Sequence, residues 1–346
     1  MTARSTTMNP GSGSATAPRP AAGGAGDAHG PPPGLEALHT RITEWFSDEA
    51  RDLPWRDPGC TPWGIFVSEI MLQQTPVVRV LPVWRDWLQR WPTPADLAAE
   101  PSGAAVRHWG RLGYPRRALR LHAAASAMVA GHDGEVPTTH DELLALPGVG
   151  AYTAAAVAAF AFGRRETVVD TNIRRVHARL VDGKALPAPA LTAAEMKRAV
   201  ALMPGDAGLS VRWNAAVMEL GAVVCTARAP RCVACPVLDA CAWVAAGRPA
   251  PDHVPKGQAW AGTDRQVRGA IVAVLRDAED EVPRSVLLDA PVDLLQGGPS
   301  TVALTPGPLA ALHGLQAPAE QLERALTGLL ADGLAEESEG GVRLPG

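Results

Sequence analysis

Four of the chain's five cysteines fall within seventeen residues: Cys225, Cys232, Cys235 and Cys241, spaced C-x6-C-x2-C-x5-C. Four soft thiolates in one short loop either close a tetrahedral shell around zinc or hold a 4Fe-4S cluster. Thiol softness alone does not choose between the two. An odd cysteine count with four so crowded reads as a metal or cluster site and not as a disulfide framework. Zinc ribbons place two C-x2-C knuckles far apart, and this loop has one. Pro230 and Pro236 stiffen it, and Arg228 and Arg231 bring positive charge beside it. Cys60, after Pro58-Gly59, reads as an ordinary half-buried thiol.

The cysteines follow a long helical region. Apolar residues recur at helical spacing over Leu35–Ser47, Trp63–Trp91, Asp96–Glu100, Ala104–Gly110, Arg116–Ala130, Asp141–Leu146, Ala151–Gly163, Asn172–Val181, Thr192–Met203 and Val211–Val224. Pro76 and Pro82 should divide or bend the second of these. Before this region, 27 of residues 1–34 are Gly, Pro, Ala, Ser or Thr, a composition that reads as a disordered tail. After it, 253–264 reads as a linker. Residues 265–346 read as three helices and a hairpin turning at Glu339-Gly340-Gly341, a small winged-helix-like unit.

Charge separates these regions. Residues 35–252 balance at +1 and residues 253–346 at −6. The acidic C-terminal unit therefore reads as a packing or protein-contact surface, not a phosphate-binding one. Arg107, Arg111, Arg116, Arg117 and Arg120 run without an intervening acid, and Arg174, Arg175 and Arg179 form a second group; both read as phosphate contacts. The longest mostly apolar run, Ala151–Phe162, is too short to span a bilayer. No charged segment followed by an apolar one opens the chain, as a secretory signal would. The sequence reads as a soluble, cytoplasmic, nucleoid-associated protein with no membrane partner.

Three further features carry chemistry. Leu146-Pro147-Gly148-Val149-Gly150 lies between two helical segments. Gly148 and Gly150 free backbone amides at the start of the next helix, a geometry that binds phosphate. Taken alone, such a turn is also an ordinary helix connection. Glu69 has apolar helical neighbours in Ile65, Phe66 and Leu72, so desolvation should raise its pKa and keep it available as a general acid near neutrality. A structural glutamate bonded to backbone amides is the alternative. Asp170, before Thr171-Asn172, has the position of a helix N-cap. Paired with a distant acid, it would also suit stabilisation or trapping of an oxocarbenium ion.

Together these residues resemble the helix-hairpin-helix DNA glycosylases with an iron–sulfur cluster loop. Within that group the chain is most similar to the adenine-specific family that removes adenine opposite 8-oxoguanine. The resemblance covers about residues 36–248. It rests on Leu53-Pro54-Trp55-Arg56, the run 67–75, Leu112-Gly113-Tyr114, the segments 146–153 and 169–176, and the cysteine spacing. It implies a mainly α fold with a six-helix barrel module and a cluster module over 35–252. The implied activity is hydrolysis of the N-glycosidic bond of adenine mispaired with 8-oxoguanine or guanine in double-stranded DNA, after base flipping.

By the same resemblance, Glu69 would protonate the leaving adenine. Asp170 would stabilise the oxocarbenium ion or bond to it transiently, supported by Asn172. Gln74 and Thr75 would contact DNA near the lesion pair, Tyr114 would wedge into the stack, and Gly148 and Gly150 would hold phosphate. The four cysteines would ligate a 4Fe-4S cluster that performs no hydrolysis. Endonuclease III shares this pattern but needs a lysine second after the turn for Schiff-base chemistry. Tyr152 stands there, a candidate catalytic residue that also suits core packing. The expected enzyme is therefore a monofunctional glycosylase. A glycosylase for another mismatched base and a non-catalytic cluster-bearing DNA-binding protein are the alternatives. Two departures from the family stand out: Pro115 replaces its frequent second tyrosine, and residues 265–346 do not resemble its pyrophosphohydrolase-like C-terminal domain.

Overall fold

A computed structural model describes residues 34–253, 257, 259–289 and 306–346. Residues 1–33, read above as a tail, and 254–256 and 258 of the linker lie outside the described residues. The helical reading places the elements well. The first part of the chain forms α1 (Leu35–Glu49), α2 (Pro62–Leu72), α3 (Val77–Arg90), α4 (Pro94–Ala98), α5 (Ser102–His108) and α6 (Arg116–Gly131). It continues through α7 (His140–Ala145), α8 (Ala151–Phe162), α9 (Thr171–Leu180), α10 (Ala193–Leu202) and α11 (Ala207–Val223) to the cysteine loop and the short α12 (Ala242–Ala245).

The helix starts are written in the sequence. Thr61, Thr139, Asp170 and Asp206 each accept a backbone N–H of the first turn, satisfying a donor that has no partner within the helix. Thr93 with Asp96 and Thr192 with Glu195 close reciprocal capping boxes. Pro76 separates α2 from α3 as expected, whereas α3 runs on through Pro82.

Two apolar clusters form the interior. One gathers Phe66, Trp87, Trp109, Leu121 and Leu143 from α2 to α7. The other gathers Ile42, Ile173, Trp213 and Leu220 from α1, α9 and α11, with Val237 from the cysteine loop. Helix α8 serves both. Ala154, Val157 and Ala158 enter the first cluster, and Ala155, Ala156 and Ala159 enter the second. A helix wedged between two cores must be apolar on most sides and slim enough for close approach, which explains the alanine run.

After the linker come α13 (Asp264–Asp277), α14 (Arg284–Leu288), α15 (Pro306–His313) and α16 (Ala319–Ala331). A short antiparallel hairpin follows, β1 (Glu336–Glu337) and β2 (Val342–Arg343), with Val282 bridged to Val342. This C-terminal unit does not keep a separate core. Ile271, Leu275, Leu326 and Val342 belong to the same apolar cluster as Trp87 and Trp109. Among the described residues no helix is long and apolar enough to cross a membrane.

Candidate active site

A cavity of about 1100 Å³ opens between the two clusters, and Glu69, Tyr152, Asp170 and Asn172 all line it. Glu69 comes from the middle of α2, Tyr152 from the first turn of α8, and Asp170 and Asn172 from the start of α9. The sequence places these residues far apart; α2 packs on α8, and α8 and α9 share the second apolar cluster, which brings them to one space.

Glu69 is only 6% exposed. Burial pushes its carboxyl up to about 7, the Tyr152 hydroxyl pulls against that shift, the Asp170 charge adds to it, and Arg56 opposes it. Tyr152 Oη donates to Glu69 Oε2 at 2.9 Å. Burial also holds the Tyr152 phenol well above its ordinary value, so it remains a donor at neutral pH. A carboxyl poised near neutrality is suited to deliver a proton to a leaving group.

Asp170 takes the N-cap position read for it and also lines the cavity. Its Oδ1 caps α9 by accepting the Ile173 N–H at 2.6 Å, and its Oδ2 accepts from Asn172 Nδ2 at 2.7 Å. Burial raises its pKa, while the donors at Ile173 and Asn172 and the positive charge of Arg175 favour its anion. The chain of bonds continues outward. Arg175 Nη2 donates to Asn172 Oδ1 at 2.8 Å and to the Gly221 carbonyl at 2.7 Å, and Arg175 Nε donates to the Cys225 carbonyl at 2.7 Å. One guanidinium thus ties the candidate carboxylate to the start of the cysteine loop.

The cavity also contains residues to which sequence reasoning gave no role. Glu219 of α11, fully buried, accepts from Arg51 Nε at 2.6 Å and from Arg56 Nη2 at 2.8 Å. Burial works against its charge, yet the two guanidinium groups pull its pKa down to about 2. It is therefore a fixed anion, held with Arg51 and Arg56 in the lining of the cavity that Glu69 shares. One signal was available: Glu219 is the only acid in a helix of otherwise largely apolar residues.

The other candidates occupy different places. Gln74 and Thr75 line the cavity mouth. Gln74 is exposed with φ 55°, while Thr75 is buried and accepts from Arg117 Nη2 at 2.9 Å. Tyr114 lies outside the cavity, 49% exposed in the loop before α6, with φ 48°. Gly148 has φ 75° and no room for a Cβ against Arg120, so glycine is required there. Gly150 starts α8 with no side-chain cap, leaving its first amides without a side-chain partner.

The reading of both arginine groups as phosphate contacts needs correction. Arg117 is buried and donates to the carbonyls of Ile70, Met71 and Gln73 at 3.0, 2.9 and 2.6 Å, closing the end of the helix that carries Glu69. Arg107 donates to carbonyls of the C-terminal unit. Arg174 pairs with Glu195 at 2.8 Å, and Arg175 and Arg179 hold carbonyls of the cysteine loop. A guanidinium carries five donors and is the side chain best able to staple several peptide oxygens at once. In the first group Arg111, Arg116 and Arg120 stay exposed.

In the loop after α11, Cys225, Cys235 and Cys241 pack against the second apolar cluster. The five cysteines are free thiols. Burial, with Cys225, Cys241 and Cys232 nearby, pushes the Cys235 thiol up to about 11. Arg179 Nη1 approaches Cys225 Sγ at 3.4 Å and donates to the Thr226 carbonyl at 2.7 Å. Among the described residues, no three His, Cys, Asp or Glu side chains converge to hold a single metal ion.

By its relatives the chain is a DNA glycosylase of base-excision repair, and its cleft holds a buried acid, Glu69, and a capping aspartate, Asp170. A family described as "HhH-GPD superfamily base excision DNA repair protein" matches residues 67–201. More narrowly, the chain belongs to the adenine DNA glycosylase family. It is 51% identical over 249 residues to the adenine DNA glycosylase of Mycobacterium tuberculosis, covering 72% of this chain and 81% of that protein. It is 47% identical over 300 residues to that of Mycolicibacterium smegmatis, covering 87% and 93%. Among solved structures, a thermostable thymine-DNA glycosylase superposes with TM-score 0.55 at 28% identity, covering 61% of this chain and 97% of that one. An endonuclease III–DNA complex shares the fold, with TM-score 0.53 at 23% identity over 62% and 96% of the two chains.

Proposed function

We propose that this adenine DNA glycosylase acts on adenine mispaired with 8-oxoguanine or guanine in duplex DNA, and that it hydrolyses the N-glycosidic bond without cutting the strand. The observation that carries this reading is the Tyr152 hydroxyl on Glu69 inside the cavity that Asp170 shares. A lyase needs a neutral amine to form a Schiff base. Tyrosine occupies the candidate position, and Lys184 and Lys197 lie outside the cavity lining.

In this mechanism a flipped adenine enters the cavity beside Glu69, whose protonated carboxyl delivers its proton to the departing base. The Asp170 anion faces the oxocarbenium ion that develops on the sugar, and water completes the hydrolysis. Asn172 and Arg175 orient Asp170. The exposed Gln74 would contact the duplex at the cavity, the buried Thr75 would support it through Arg117, and Tyr114 would be the wedge. Gly148, Gly150 and the open amides of α8 would take a backbone phosphate, a contact that positions without reading sequence.

The test is single-turnover incubation with duplexes holding adenine opposite 8-oxoguanine, adenine opposite guanine, and thymine opposite guanine. Strand breaks at adenine only after alkali are expected. Breaks without alkali, or release of thymine alone, would overturn the proposal.

Cys225, Cys232, Cys235 and Cys241 would hold a 4Fe-4S cluster. The donor set fits: four soft thiols lie within seventeen residues of one loop, three of them packed against the second apolar cluster. When bound, the cluster supplies structural rigidity to the loop. The Arg179 N–H on Cys225 Sγ is the kind of sulfur contact that stabilises such a group. Protein purified without oxygen should carry iron and absorb broadly in the visible. Stoichiometric zinc without iron would refute the assignment.

A further inference from the structure

The loop that carries Tyr114 runs from Trp109 to Pro115, between α5 and α6. Its backbone is unusual. Gly110, Gly113 and Tyr114 have φ 54°, 80° and 48°, all in the left-handed region. A tyrosine held there must be fixed by contacts outside its own residue. The structure shows what fixes it. Trp109 Nε1 and Arg117 Nη2 donate to the Gly113 carbonyl at 2.9 and 3.0 Å. The Arg117 guanidinium also lies 5.7 Å from the Tyr114 ring centroid. These holders belong to the catalytic region itself.

The loop is also gripped from the C-terminal unit, at both ends. On the entry side, Arg276 at the end of α13 donates to the Gly110 carbonyl, and its Nε donates to the Val106 carbonyl at 2.8 Å. These oxygens lie at the C-terminal end of α5, where helix carbonyls lack partners and a cation is favoured. Arg107 returns the contact by donating to the carbonyls of Arg276 and Ala278. On the exit side, Asp332 at the end of α16 pairs with Arg116 at 3.3 Å, two residues after Tyr114. Arg268 of α13 holds the same carboxylate in place. The C-terminal tail meets α5 as well. The Gly103 N–H donates to the Pro345 carbonyl at 2.7 Å, where a Cβ would not fit.

We propose that the C-terminal unit is a two-point clamp on the Tyr114 loop, with Arg276 as the positioning residue on the entry side and Asp332 on the exit side. Neither residue touches the cavity. Each acts on base extrusion through Tyr114, by holding the loop in the one backbone shape that presents the ring to the duplex. The inference rests on the reading of Tyr114 as the wedge. It assigns the acidic C-terminal unit a mechanical role in the reaction.

The decisive experiment is a double-mutant cycle on the full chain, comparing Arg276→Met, Tyr114→Ala and the pair. Two readouts are taken. One is single-turnover adenine release from a duplex holding adenine opposite 8-oxoguanine. The other is fluorescence of 2-aminopurine placed next to the mispair, which reports unstacking and needs no chemistry. Arg276→Met alone should slow release on the order of tenfold to a hundredfold, as misplacement far from the chemistry does, and should lower the fluorescence change. In the Tyr114→Ala background it should change neither readout by more than about twofold, because the element it positions is gone. Arg276→Lys, which keeps one donor group, should fall between. Should Arg276→Met fail to fold, Asp332→Asn enters the same cycle with the same expectation.

Equal losses in both backgrounds would overturn the clamp and leave Arg276 a merely structural residue. If the wild type released no adenine, the proposed mispair activity would fail, while the fluorescence cycle would still decide for or against the clamp.

Discussion

Glu69→Gln is expected to abolish adenine release while leaving duplex binding intact. The loss should be on the order of a hundredfold to ten-thousandfold, the range in which a positioned general acid contributes. Glutamine has nearly the same shape, and its amide oxygen still accepts the Tyr152 hydroxyl that now donates to Glu69 at 2.9 Å. What it lacks is the transferable proton. The wild-type pH profile should show the same group. The carboxyl sits near pH 7 by burial, so single-turnover release should be level in mild acid and fall as pH rises through about 7.

The sign for stability agrees with this. In the folded protein Glu69 holds its proton up to about pH 7, against an ordinary value of 4.5. Stability from this group is therefore complete below the ordinary value and is lost as pH rises through 7. Glu69→Gln should remove that loss and hold or raise the melting temperature at pH 8. A variant that kept full activity, or an unchanged wild-type rate from pH 6 to 8, would exclude Glu69 as the acid.

Much of this was legible in the sequence because the signals are local. Helix starts depend on one capping side chain and the amides just after it, so Asp170 could be read as the cap of α9. Burial of Glu69 follows from its apolar neighbours on one helix. The cysteine loop is a matter of spacing along seventeen residues. Long-range pairing was not legible. Nothing near Glu219 in sequence shows that Arg51 and Arg56, more than 160 positions away, meet it in the cavity wall.

The arginines misled for a related reason. A basic run looks the same whether it faces solvent or backbone oxygens, and only the fold shows that Arg117 reaches three carbonyls at the end of α2. The negative balance of residues 253–346 left a packing and a protein-contact role open, and the apolar core the unit shares with the catalytic region answers to the first.

Asp170 allows the charge and the structure of one residue to be tested apart. Its Oδ1 caps α9 through the Ile173 N–H, and its Oδ2 receives the Asn172 amide. In Asp170→Asn the new amide oxygen still caps the helix, but the amide NH2 then meets the NH2 of Asn172. Asn172 cannot turn over to relieve this, since Arg175 Nη2 holds its oxygen at 2.8 Å. The variant should therefore lose activity by roughly a hundredfold to a thousandfold, as when one transition-state electrostatic partner is removed. It should also lose about 1–3 kcal/mol of stability from the mismatched buried donors.

The exchange Asp170→Asn/Asn172→Asp restores the polarity of every bond in the chain. The amide at position 170 donates to the carboxylate at 172, which accepts from Arg175, and the cap at Ile173 is kept. The melting temperature should recover to near the wild-type value, while adenine release should stay at the level of Asp170→Asn. Recovery of both would show that the negative charge need not face the sugar from position 170. A single variant as stable as wild type would show that the Asn172–Arg175 chain does not fix the aspartate. Stability restored without activity is the outcome this geometry requires, because the exchange returns every hydrogen bond and moves only the anion.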